Sequence, residues 1–99
     1  MLYSFFCEDA PNSLSLRKQH RPAHIDRLTT LLNEGRLILA GPNPAIDAEA
    51  PAEAGYTGSL IVAQFENLNA AQQWADEEPF LKAGVYQSIT VKPFVQSMP

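Results

Sequence analysis

Cysteine occurs once in this 99-residue chain, at Cys7, and histidine twice, at His20 and His24. A lone thiol cannot close an intramolecular disulfide, so a secreted, disulfide-stapled scaffold is excluded. Basic residues are few: seven Lys and Arg stand against eleven Asp and Glu, for a formal net charge of −4. With no basic run anywhere, nucleic acid and anionic membrane are excluded as default partners. Long apolar runs are missing as well. The N-terminal "MLYSFFCEDA" is apolar but short and has no basic flank, which argues against a signal peptide and a membrane span. The expected location is cytoplasmic.

What is present suits one folded domain over residues 1–99. Hydrophobic residues make up 45% and charged residues 18% of the chain, enough to bury one core. No internal repeat or low-complexity segment interrupts it. "LYSFFCE" (Leu2 to Glu8) is aromatic-rich and precedes the turn-like "DAPNS", so it reads as a strand. From Leu14 to Glu34 the pattern becomes helical, with Ile25, Leu28, Leu31 and Leu32 on one face and Gly35 closing it. Pro22 lacks a backbone N–H, which predicts a break near Arg21 with Pro22 in the first turn of the better-formed part.

"RLILAGP" (Arg36 to Pro42) is a second strand and "GSLIVAQFE" (Gly58 to Glu66) a third. Between them, residues 43–57 form a long loop of the kind that often carries function. A second helix follows, capped by Asn67 or Asn69, with Leu68, Ala71, Trp74 and Ala75 buried and Pro79 ending or bending it. "VYQSITVKPF" (Val85 to Phe94) alternates as a fourth strand, with Ile89 and Val91 on one face and Tyr86, Ser88 and Thr90 on the other. Residues 95–99 are a loose tail. The order β-α-β-β-α-β predicts an α+β, ferredoxin-like plait: a four-stranded antiparallel sheet with two helices on one face. On the second face Tyr86, Ser88 and Thr90 are too polar for a deep core, yet the face is not charged like a free surface, so the sheet is expected to pair with that of a second copy, as in a dimeric α/β barrel, creating a cleft at the interface.

In "QHRPAHIDRL", His24 precedes Leu28 and Leu31 at helical spacing and sits at the edge of the apolar stripe. Two readings compete: a half-buried histidine with its polar needs met, and a catalytic or ligand-binding one. His20 and His24 have the spacing of a helical metal pair, but Pro22 intervenes and neither HExxH nor a cysteine cluster supports a metal site. In "ADEEPF", Asp76, Glu77 and Glu78 crowd a helix C-terminus, where the macrodipole disfavours each by about 0.3–1 kcal/mol. Repulsion and dipole would both favour protonation, as suits a general acid or base, and Glu78 is the one held against Pro79 and Phe80. Taken singly, Asp76 and Glu77 read as a solvated helix end. Cys7, on the face of Tyr3 and Phe5, reads as a buried structural thiol. Arg21 and Arg36 are candidate anchors for an anionic group or plain surface charges. No serine sits in a nucleophile elbow.

The segments "RPAH", "GRLILAGPNPAID", "GYTGS", "FENLNAAQQWA", "AGVY" and "VKPF" together resemble the YCII-related (YciI-like) proteins over nearly the whole chain. The resemblance implies the ferredoxin-like fold, dimerisation through the sheets, and a cleft site built on a histidine and the aspartate of a "DPF" or "DPY" motif. The histidine falls on His24. The aspartate position falls on Glu78, because this chain has "EEPF"; the carboxylate is kept but displaced by one methylene. The resemblance implies no metal or organic cofactor. Related dimeric α/β-barrel proteins include isomerase-like proteins and monooxygenases of aromatic compounds, and lyase chemistry occurs among YCII-like proteins.

The expected function is therefore cofactor-free acid–base chemistry, lyase or isomerase-like, on a small cyclic or aromatic metabolite. His24 would move the proton and Glu78 would orient or share it. Arg21 would hold an anionic group, Tyr86 and Ser88 would line the cleft, and the 43–57 loop would close it. The alternative is a non-enzymatic, dimeric metabolite-binding or accessory module.

Overall fold

The chain was analysed as a computed structural model that describes all 99 residues. Its elements run β1 (Leu2–Asp9), α1 (Leu14–Asn33), β2 (Leu37–Pro44), β3 (Tyr56–Gln64), α2 (Leu68–Asp76), α3 (Pro79–Lys82) and β4 (Tyr86–Phe94). The strands form one antiparallel sheet in the order β2-β3-β1-β4. This is the expected ferredoxin-like βαββαβ plait.

Alternation along the two central strands sets the core. Tyr3, Phe5 and Cys7 of β1 lie opposite Ala63, Ile61 and Ser59 of β3 and point to the helix side. There they meet Leu28 and Leu31 of α1, Ala71 and Ala75 of α2, and Phe80 of α3. Phe5, Phe65 and Trp74 pack edge-on or tilted, with ring centroids 5.2–5.7 Å apart, geometry favoured by the ring quadrupoles. Leu32 and Leu68, expected on the buried stripes, are exposed. The buried row of α1 is instead Arg17, His24, Leu28 and Leu31, spaced by seven, four and three, so Leu32 falls on its flank.

Four further expectations are corrected. First, α1 does not break at Arg21: it runs for 20 residues with Pro22 inside. Proline in a helix interior costs about 3 kcal/mol, but Pro22 is exposed and buried residues on both sides fix the helix to the sheet, so packing overrides propensity. Second, the carboxylate trio is divided. α2 stops at Asp76, and Pro79 opens the short helix α3, whose N-cap is Glu78. Pro at a first helical position is well placed. Glu78 thus sits at a helix start, where negative charge is favoured, rather than at a helix end.

Third, β4 does not alternate strictly. Glu8 pairs with Ser88 but Asp9 with Tyr86, so the register slips by one residue at Gln87. This bulge turns Tyr86 inward, onto the same side as Ile89 and Val91, and leaves Ser88 on the opposite face. Tyr86 is accordingly buried and Ser88 exposed. The long loop is also shorter than expected, because β2 extends to Pro44 and β3 begins at Tyr56.

Candidate functional site

A cleft of about 320 Å³ opens between α1 and the β2–β3 half of the sheet. It lies within one chain on the helix side, not on the open sheet face where pairing of two sheets was expected to create it. Its floor is apolar, from Leu28, Ile61 and Phe80, and its α1 wall carries Arg17, Lys18, Arg21 and His24.

His24 is buried, and its ring stacks on Phe80 at 4.2 Å with an interplanar angle of 12°. Tyr86 presents its ring perpendicular to the imidazole at 6.2 Å. His24 Nδ1 lies 2.5 Å from Glu78 Oε1. Glu78 is completely buried, and its carboxylate has two more donors: Arg27 Nη1 to Oε2 at 3.2 Å, and the Phe80 N–H to Oε1 at 3.3 Å. Arg27 is held in turn over the Trp74 ring, 4.3 Å from its centroid. The arrangement fixes both the position of the imidazole and its polarity. With a proton on Nδ1 donated to Glu78, a neutral His24 keeps its lone pair on Nε2. Nε2 has no hydrogen-bond partner in the protein, and no buried side-chain nitrogen or oxygen lacks one. Nε2 is therefore open to the cleft that His24 lines, free to take or give a proton.

A second network adjoins the first. Arg17 is buried and makes a bidentate pair with Asp9, Nε to Oδ2 at 3.0 Å and Nη2 to Oδ1 at 3.2 Å. Nη2 also donates to the Gly58 carbonyl at 3.0 Å and to Ser59 Oγ at 2.9 Å. The guanidinium carbon sits over Tyr56 and Phe80, 5.0 and 5.1 Å from their centroids. Gly58 permits the strand approach this needs, because a Cβ there would come within 2.0 Å of the Cys7 carbonyl oxygen. Tyr86 donates its hydroxyl to Ser59 Oγ at 2.8 Å. Burial pushes the Tyr86 phenol well above its ordinary value of 10.0, with the neighbouring Cys7 adding to the shift. Burial likewise pushes the Cys7 thiol up to about 12. Both groups stay protonated and uncharged at neutral pH.

The structure brings together His24 and Glu78 and sets Arg21 at the cleft. Tyr86 lies beneath the site and does not line it, and Ser88 is on the far face of the sheet. The 43–57 loop does not close the cleft either: from it only Tyr56 reaches the lining. His20 takes no part. Arg17, Arg27, Asp9 and Ser59 were missed from sequence. Arg17 had a signal, since it precedes His24 by seven residues, two helical turns, on the same face. No group of three or more His, Cys, Asp or Glu side chains converges to hold a metal ion, and no helix is long and apolar enough to cross a membrane.

Comparison with known proteins adds family and fold. Residues 1–95 match the YCII-related domain. An uncharacterized protein of Haemophilus influenzae is 54% identical over 94 residues, 95% of this chain and 96% of that protein. Protein YciI of Escherichia coli O6:H1 is 52% identical over the same length and shares of each chain. Among solved structures, 5-chloro-2-hydroxyhydroquinone dehydrochlorinase of Burkholderia phenoliruptrix AC1100, in complex with 2,5-dihydroxybenzoquinone, superposes with a TM-score of 0.82. It is 24% identical in sequence, and the match covers 96% of this chain and 94% of that one.

Proposed function

The chain belongs to the YCII-related domain family, and we propose that its cleft performs cofactor-free acid–base chemistry, elimination or isomerisation, on a small cyclic or aromatic metabolite. The observation that carries this reading is the His24–Glu78 pair, with one imidazole nitrogen anchored and the other free toward a cleft of ring size. Glu78 orients the imidazole and stabilises the imidazolium that forms when Nε2 takes a proton. Arg27 keeps the carboxylate in place, and Phe80 supports the ring from below. Returning that proton at another atom isomerises the substrate; loss of a leaving group from the resulting anion makes the reaction an elimination. The fold houses elimination chemistry in the Burkholderia dehydrochlorinase, which puts the class within reach of this scaffold. A cytoplasmic location belongs to the same reading.

The assembly is proposed to be a homodimer paired through the open sheet face. Phe6, Leu39 and Phe94 are 48%, 46% and 39% exposed there, an apolar surface that a second sheet would cover.

The test is a thermal-shift screen of the wild type and His24→Ala against lactones, hydroquinones, phenols and carboxylic acids, followed by solvent-deuterium incorporation into each binder. A ligand at a hundred times its Kd adds about 2.7 kcal/mol of stability, so binders will be plain. Deuterium incorporation by the wild type and none by His24→Ala is expected. Binding with no exchange in either protein would refute proton transfer and leave a metabolite-binding module.

A further inference from the structure

The protein as a whole is anionic, yet no carboxylate is among the groups lining the cleft. Asp9 and Glu78 lie behind its wall, each engaged by an arginine, while Arg17, Lys18, Arg21 and His24 face it. Two donors in that wall are left over once the internal hydrogen bonds are assigned. Arg17 uses Nε and Nη2 on Asp9, Gly58 and Ser59. Its Nη1 has no partner in the protein, although the residue is only 8% exposed. Since no buried side-chain nitrogen is unsatisfied, Nη1 opens onto the cleft. Ser59 Oγ accepts from both Arg17 Nη2 and the Tyr86 hydroxyl. With the Tyr86 hydroxyl donating in that pair, the Ser59 hydrogen is free to turn elsewhere. Ser59 lines the cleft and that hydrogen has no partner in the protein.

We infer that Arg17 Nη1 and the Ser59 hydroxyl form an oxyanion seat, and that the molecule bound here is a planar organic anion with its charged oxygen on that seat. It is a ring bearing a phenolate, enolate or carboxylate. Phe80 lies against both the His24 ring, at 4.2 Å, and the Arg17 guanidinium carbon, at 5.1 Å. Base and seat thus border the same phenylalanine ring and line the same cleft. The inference rests on the acid–base reading in one respect: the ring that gives its proton to His24 Nε2 places its oxygen on the seat, where the charge left behind is delocalised. A guanidinium already fixed by Asp9 and by aromatic faces needs no reorganisation to receive that charge. Arg21 and Lys18, at the exposed end of the wall, attract the anion but do not seat it.

The experiment uses the full chain and two matched pairs of probes: benzoate against benzamide, and the 2,5-dihydroxybenzoquinone anion against neutral hydroquinone. Each is titrated calorimetrically, with arginine-selective nitrogen NMR recorded alongside. The wild type should bind the anions at least about tenfold more tightly than the neutral partners, the gain expected of one charge-assisted contact. The Arg17 Nη1 resonance should move on adding the anions and stay fixed on adding the neutral compounds. Ser59→Ala should weaken anion binding several-fold without affecting the neutral probes, and His24→Ala should keep the preference. Equal binding of charged and neutral partners overturns the inference, as does a preference that disappears in Arg21→Ala while the Arg17 signal stays still. The NMR arm needs no variant at Arg17, whose loss would endanger folding. Failure of proton transfer at His24 would show instead as absent deuterium exchange with the anion preference intact.

Discussion

Replacing Glu78 by glutamine tests the dyad without any knowledge of the substrate. The carboxylate accepts three hydrogen bonds, from His24, Arg27 and the Phe80 N–H. Glutamine keeps the shape but has one acceptor oxygen and one NH2. If the amide oxygen faces Arg27, as its positive charge favours, the NH2 faces His24 Nδ1. Nδ1 must then accept, so the imidazole proton moves to Nε2 and the free lone pair is lost from the cleft. Hydrogen bonds to a charged group contribute about 1.5–3 kcal/mol and neutral ones about 0.5–1.5. Three bonds each weakened by about 1 kcal/mol give a loss of about 2–3 kcal/mol, moderated because Arg27, 21% exposed, can turn toward water. Urea denaturation measures that loss, and nitrogen-detected NMR of the imidazole at mildly alkaline pH reads the tautomer. A variant within about 0.5 kcal/mol of the wild type, or a wild type that already carries its proton on Nε2, would refute the argument.

Four other outcomes follow from the same geometry. Arg17→Ala leaves Asp9 buried without its counter-charge and should cost about 3–5 kcal/mol by urea denaturation. Stability should decline in alkali: Cys7, ordinarily 9.0, holds its proton to about 12 in the folded state, so its contribution is complete below pH 9 and is lost as pH rises from there to about 12. The slope is up to about 1.4 kcal/mol per pH unit, and Cys7→Ala should flatten its first part. Gly58→Ala should fail to yield soluble folded protein, because the new Cβ would meet the Cys7 carbonyl oxygen, which is backbone and cannot turn aside. Pro22→Ala should raise the stability of the exposed, unbroken helix by about 1–3 kcal/mol, read from thermal melts.

The plait was legible because the short apolar, β-prone runs of β1 and β3 and the helical pattern in the second half of α1 are strong, and because Asn67 caps α2 as expected, its side chain accepting from the Ala70 N–H. His24 and Glu78 were legible as a pair through the resemblance; their contact spans 54 residues of sequence and no spacing rule reaches that far. The errors share a cause. Pro22, Leu32 and Tyr86 were assigned by local rules, and each was decided by packing at a distance: anchors on both sides of the proline, the rotation of the buried row, and a one-residue bulge against β1. Arg17 was passed over because a charged residue is expected at the surface, whereas here Asp9 and Ser59, from two different strands, provide for its burial.

Trp74 is the only tryptophan in the chain, and Arg27 lies over its ring while gripping Glu78. The indole is thus a built-in optical probe joined to the dyad through a single side chain. Any event that redistributes charge at Glu78 must alter the cation resting on that chromophore. Emission from unlabelled protein therefore gives a direct view of the site during a titration or a stopped-flow mixing experiment, before any product has been identified.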